Sequence, residues 1–178
     1  MNELQMEIRR VALAEGVLEG ICAPYDETTF LAGDGRGERI LRGAFRKSAH
    51  EQAGRLKLFR NHDHGRPVGL ATRITERHPD GLWASFKLAD GDRYRDVRDE
   101  LEQGLLSDLS VGFRTVQERR GDDGAREITE AQLVEVSLVP IGAYAGARVL
   151  AMRGSSAPFD YPHAPPPPQI PAWLLETR

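Results

Sequence analysis

Val68-Gly69-Leu70-Ala71-Thr72-Arg73-Ile74-Thr75-Glu76-Arg77-His78-Pro79-Asp80-Gly81-Leu82-Trp83-Ala84-Ser85-Phe86-Lys87-Leu88 is the stretch that decides the fold. Residues 68–76 and 82–88 are rich in apolar and β-branched side chains, and His78-Pro79-Asp80-Gly81 between them is a turn signal. The pattern predicts a β-hairpin. Outward from it, residues 56–59 form an apolar run that enters Asn61-His62-Asp63-His64-Gly65, and residues 17–23 alternate loosely; both read as strands. Residues 34–37 read as a loop and residues 43–52 as a short helix. Tyr94, Val97 and Leu101 stand three and four apart ahead of Gly104, which predicts an amphipathic helix with a glycine stop. Residues 110–117 and 127–139 predict two more strands, joined by the polar turn Arg120-Gly121-Asp122-Asp123-Gly124. The sum is a mainly β domain with flanking helices (α+β), closed or partly closed into a barrel.

The chain has 178 residues and a formal net charge of -3, with 40% hydrophobic and 29% charged residues. That is the composition of one globular domain able to bury about two-thirds of its unfolded surface. A sequence pI near 6.0 argues against nucleic acid as the partner, since phosphate neutralisation calls for a basic chain. The single cysteine, Cys22, excludes a disulfide framework and a cysteine-rich zinc site. No apolar run approaches the roughly 18 residues of a membrane span, and the N-terminus lacks the apolar core of a secretory signal. Seven of the 11 prolines fall at Pro158, Pro162, Pro165, Pro166, Pro167, Pro168 and Pro171. The expected organisation is therefore a domain over residues 1–152 and a Pro-rich tail over residues 153–178, extended or disordered, with an apolar segment at residues 170–175.

Three places have residue types suited to chemistry. His62 stands just past an apolar strand, where an imidazole is held firmly yet meets solvent, as a general base requires. His62, Asp63 and His64 are also metal-ligand types, but no third ligand cluster appears nearby, and from this segment alone a polar surface loop is the preferred reading. Ser110, in Leu109-Ser110-Val111-Gly112-Phe113, reads as a hydroxyl at the opening of a strand, with the small Gly112 leaving room for a substrate backbone. A serine becomes a useful nucleophile only when a base takes its proton. Glu135 lies within the apolar run Leu133-Val134-Glu135-Val136-Ser137-Leu138-Val139. At two-residue spacing Leu133, Glu135, Ser137 and Val139 share a face. A buried carboxylate there needs a partner, either an arginine or the N–H of a histidine.

Taken together and in this order, the segments resemble the prohead (capsid maturation) serine proteases of HK97-type tailed phages. The resembling pieces are Leu18-Glu19-Gly20, Ile40-Leu41-Arg42-Gly43-Ala44-Phe45, Leu58-Phe59-Arg60-Asn61-His62-Asp63, Pro67-Val68-Gly69, Asp80-Gly81-Leu82, Leu109-Ser110-Val111-Gly112-Phe113 and Glu135-Val136-Ser137-Leu138-Val139. The resemblance implies a serine endopeptidase with a β-barrel like that of the herpesvirus assembly protease. It assigns the catalytic serine to Ser110 and the histidine to His62. The third member falls on Glu135, with Asp63 and His64 as alternatives. The chain departs from the family pattern at Ile141-Gly142-Ala143-Tyr144-Ala145-Gly146-Ala147-Arg148; the expected oxyanion donors are backbone N–H groups near Ser110 or in residues 142–146, with Arg148 assisting through a water.

The implied substrate is the scaffold region of the major capsid protein, and the protease itself, inside the assembling prohead in the host bacterial cytoplasm. The source implied is a phage, a prophage or a gene-transfer particle. No cofactor or metal, no nucleic acid and no membrane is expected, and self-association is compatible with the reading. The competing readings are a non-catalytic capsid assembly or scaffold module of the same fold, and a metal-dependent hydrolase using His62, Asp63 and His64. Because a proline cluster cannot complete a barrel, a chain ending at Arg153 is expected to melt as the full chain does and to retain hydrolysis of a soluble peptide. A truncated chain that fails to fold would place the tail in the core.

Overall fold

The computed structural model describes residues 16–30 and 37–153. In chain order these form β1 (Val17–Pro24), β2 (Thr29–Phe30), β3 (Gly37–Ile40), α1 (Arg46–Glu51), β4 (Lys57–Arg60), β5 (Asp63–His78) and β6 (Gly81–Leu88). A 3₁₀ turn (Asp92–Tyr94) then leads into α2 (Arg95–Glu102), followed by β7 (Asp108–Arg120), β8 (Arg126–Val139) and β9 (Arg148–Arg153). The strands make one sheet in the order β2-β3-β8-β4-β5-β6-β1-β9-β7, and β7 pairs again with β8. That second pairing closes seven strands into a barrel, with β2 and β3 as an extension on β8. No helix among the described residues is long and apolar enough to cross a membrane.

Strand β8 is the common member. Along one edge it pairs antiparallel with β7 from Arg126↔Arg120 to Val139↔Asp108. Along the other it pairs in parallel with β3 over Arg126–Ile128, and again with β4 over Val136–Leu138. The barrel interior is filled by fully buried side chains that include Leu18, Leu58, Phe86, Leu109, Val136 and Leu138. Phe45, ahead of α1, meets Phe113 edge-on with ring centroids 5.8 Å apart, the arrangement that aromatic quadrupoles favour.

The hairpin at residues 68–88 is present and longer than the pattern predicts, since β5 begins at Asp63. The predicted helix at Tyr94–Gly104 is α2, with Val97 and Leu101 buried one turn apart and Gly104 at φ +73, a conformation glycine adopts without strain. The predicted strand over residues 110–117 starts two residues earlier, so Ser110 lies inside β7 rather than opening it. One face assignment is corrected. The β7–β8 register shifts between Gly112↔Glu135 and Phe113↔Leu133, leaving Val134 as an extra residue in β8. A bulge reverses the side-chain alternation. Glu135 and Ser137 therefore share a face with Ser110 and Gly112, whereas Leu133 turns inward with Val136 and Leu138. Arg153, the first residue of the predicted tail, ends β9 and pairs with Val17, and the rest of the tail lies outside the described residues, as do residues 34–36 of the predicted loop; Gly37 opens β3.

The closure of the barrel depends on a close approach at Gly20, where β1 bends between β6 and β9. A Cβ there would stand 2.5 Å from the Arg148 carbonyl oxygen and 2.6 Å from a Leu109 methyl. Gly20→Ala is expected to destabilise the domain by about 1–3 kcal/mol, the usual effect of overpacking, measured as a lower midpoint in urea. An unchanged midpoint would show that the β1–β9 seam yields freely.

Candidate active site

His62 does not stand on a strand. Arg60 ends β4, Asp63 opens β5, and Asn61 and His62 turn the chain between them with φ of +52 and +59. Two successive non-glycine residues in the left-handed region are uncommon, and Asn is among the side chains that tolerate it best. The turn is held from both sides. The Asn61 amide donates to the Leu138 carbonyl at 2.9 Å, continuing the β4–β8 pairing by one bond. On the outer side Arg60 donates to Asp96 at 2.9 Å and to Glu100 at 2.5 Å, and Arg66 pairs with the same Asp96, so α2 grips both arms of the turn. Against an opposing desolvation penalty, the Val97 amide and the Arg66 and Arg60 guanidinium groups hold the Asp96 carboxyl below the usual carboxylate range.

The His62 ring lies over the face of β8 that carries Glu135 and Ser137. Its Nδ1 is 2.5 Å from Glu135 Oε1, and the Glu135 side chain is only 5% exposed. An ionised carboxylate only accepts hydrogen bonds, so Nδ1 carries the proton and Nε2 is the acceptor of the neutral ring. The other oxygen, Oε2, accepts from the Ser137 hydroxyl at 2.6 Å, and the Ser137 Oγ in turn accepts from the His62 amide at 3.2 Å. Three residues thus close a ring of hydrogen bonds that begins and ends on His62. Gly112 faces Glu135 across the β7–β8 pair, and a Cβ there would be 2.7 Å from Oε1 and 2.9 Å from Cγ. The glycine of Ser-Val-Gly therefore makes room for the carboxylate. It is this carboxylate, and not a substrate backbone, that occupies the space expected at Gly112.

Ser110 pairs with Ser137 across β7–β8, and Phe59 pairs with Ser137 across β4–β8. Ser110 is thus one strand, about 5 Å, from the residue to which the His62 amide is bonded. Its side chain shares the face of Gly112, Glu135 and Ser137, over which the His62 ring lies. Ser110 is 7% exposed, while Ser137 is fully buried. Among the described residues, the Ser110 hydroxyl has no hydrogen-bond partner. Ser107, the nearest alternative in sequence, donates its hydroxyl to Asp108 at 3.2 Å. Burial pushes the Cys22 thiol far above its ordinary range, which leaves it protonated and inert.

The other residues singled out from sequence do not join this group. Asp63 accepts from the Gly65 amide at 2.8 Å, and His64 lies against Phe59 with ring centroids 4.9 Å apart. Among the described residues, no three His, Cys, Asp or Glu side chains converge as metal ligands. In the loop after β8, the Gly142 and Gly146 amides are committed to Asp108 at 2.8 Å and Glu27 at 3.2 Å. Arg148 opens β9 opposite Asp108. Sequence reasoning missed Ser137, for which a lone serine in an apolar strand gives no signal, and it missed Asp108 as the latch of this loop. The Asn preceding His62 was a legible signal for the left-handed turn.

A closed β-barrel with a histidine, a buried carboxylate and an unpartnered serine on one outer face is an architecture on which acyl transfer can be run. Residues 3–160 match the family model of the caudovirus prohead serine protease, and the chain belongs to that family. It is 27% identical over 106 residues to the prohead protease of Enterobacteria phage HK97, a match covering 58% of this chain and 44% of that protein. The chain therefore spans less than half the length of that relative. Among solved structures, the bacteriophage T4 capsid assembly protease superposes with a TM-score of 0.54 at 11% identity, covering 70% of this chain and 81% of that one. The KSHV protease in complex with a hexapeptide phosphonate inhibitor gives a TM-score of 0.49 at 11% identity, covering 76% and 64%.

The tight space at Gly112 makes the carboxylate geometry testable without any assay of activity. Gly112→Ala is expected to displace Glu135 so that its separation from His62 Nδ1 exceeds hydrogen-bond reach in a crystal structure. The accompanying loss of stability is expected to be about 1–3 kcal/mol. Retention of the short contact would show that the strand pair yields instead.

Proposed function

We propose that this chain is a serine endopeptidase of capsid maturation, with Ser110 as nucleophile, His62 as general base and acid, and Glu135 as the carboxylate that orients His62. The observation that carries the reading is the short bond from His62 Nδ1 to a buried Glu135, which leaves Nε2 free on the face that carries Ser110. In the first half-reaction Nε2 takes the Ser110 proton as Oγ bonds to the scissile carbonyl carbon. The C–N bond then breaks, and the same proton passes from Nε2 to the leaving amine. A water repeats the two transfers, its oxygen bonding to the acyl carbon and Ser110 regaining its proton. Throughout, Glu135 stays ionised and stabilises the imidazolium.

The developing oxyanion needs donors, each worth about 2.7–4 kcal/mol of barrier. With the Gly142 and Gly146 amides committed, the candidates are the Ala143, Tyr144 and Ala145 amides of the loop, which donate to no described residue, and backbone N–H groups near Ser110. The substrate is the scaffold region of the major capsid protein, together with the protease itself, within the assembling prohead. Family membership and the fold shared with the T4 capsid assembly protease support that choice. A confined shell raises the effective concentration of substrate, so shallow substrate contacts suffice.

Ser110→Ala is expected to abolish cleavage of the cognate capsid protein with no change in melting temperature. Glu135→Gln is expected to lower kcat by about 10²–10⁴ with little change in KM, because the carboxylate acts as charge develops on the ring. Cleavage by Ser110→Ala at the wild-type rate would overturn the assignment. A wild-type protein that neither cleaves nor reacts with a fluorophosphonate at Ser110 would instead be a non-catalytic assembly module of the same fold.

A further inference from the structure

Resting on that reading, we infer that Ser137 is a positioning residue of the reaction, a fourth member that acts through both Glu135 and the His62 backbone. It is fully buried, so it touches no substrate. Its hydroxyl is nevertheless used twice. It donates to Glu135 Oε2 at 2.6 Å and accepts from the His62 amide at 3.2 Å.

Each bond meets a need that no other described group meets. Glu135 is a buried carboxylate, and the His62 ring serves only Oε1; without Ser137, Oε2 would be desolvated and unpaired. The His62 amide belongs to a left-handed residue beyond the end of the β4–β8 pairing, and the Ser137 Oγ is its acceptor. One hydroxyl therefore fixes the carboxylate that orients the imidazole and the peptide group from which that imidazole hangs. The ring of bonds sets both ends of the His62 side chain, which an orienting carboxylate alone does not do.

The electrostatic consequence has a definite sign. A hydroxyl donating to Oε2 withdraws negative charge from the carboxylate. Its removal lets Glu135 hold the imidazolium proton more strongly, so the ring loses that proton at higher pH. A residue that only filled space would leave the pH dependence where it was.

The test compares Ser137→Ala, Glu135→Gln and the double variant with wild type in the full chain. Peptide cleavage is normalised to sites titrated with a fluorophosphonate. Ser137→Ala is expected to lower kcat by roughly 10–100-fold with little change in KM, and to move the acidic limb of the pH–rate profile up by roughly half to one pH unit. On the Glu135→Gln background the same substitution is expected to have less than a threefold effect, because its partner is already altered. A lowered melting temperature with an unmoved limb would overturn the inference, as would full additivity in the double variant. Wild-type protein left unlabelled at Ser110 would overturn the underlying reading and take the inference with it.

Discussion

The structure depends on β8 being paired along both edges. One edge is occupied by β7 over almost its whole length, and the other is divided between β3 and β4. This pairing closes the barrel, and it also brings β4 and β7, distant in sequence, to either side of Ser137. The His62 turn hangs from the end of β4, and Ser110 lies on β7. Because ladder register is fixed wherever one face is buried, the fully buried Leu109, Val136 and Leu138 that hold the core also hold the site in alignment.

Within that frame the demanding element is a carboxylate beneath the surface. Glu135 is stable there because both of its oxygens have donors and because the opposing residue is a glycine. The bulge at Val134 carries it to the outer face while Leu133 remains in the core. The strain of two left-handed residues at Asn61 and His62 is sustained by backbone and side-chain bonds around them, as expected where local strain persists only in an over-determined setting. Geometry that is costly to hold sits next to the group proposed to move protons.

Much of this was legible in the sequence. The 68–88 hairpin, the helix before Gly104 and the long strands ending at Val139 follow from alternation and turn residues, and the structure contains them. The short strands β2 and β3 escaped because two and four residues are too few to show a period. Strand β9 escaped because its six residues are too few to show a clear period between the divergent 141–148 stretch and the Pro-rich tail. His62 and Glu135 were named separately from their surroundings, but their contact spans 73 positions in the chain, and only the barrel brings them together. The face of Leu133 was misread because one extra residue shifts the phase of a strand without leaving a mark in composition. Gly112 was noticed for the wrong neighbour, since the residue opposite it is a matter of register.

The two sides of the His62 turn are held by forces of different range. The grip of α2 on Arg60 and Arg66 is electrostatic and is most open to solvent at Asp96, which is 45% exposed, while the Arg60–Glu100 pair is half-buried. The bonds to Leu138, Ser137 and Glu135 lie on the buried side. Mobile ions screen exposed charges beyond roughly 8 Å at physiological strength and far less where water is absent. Rising ionic strength is therefore expected to weaken the exposed Asp96 pairs more than the bonds on the buried side, while α2 stays anchored by Val97 and Leu101 in the core. The turn is a joint with one salt-sensitive side and one side that salt scarcely reaches.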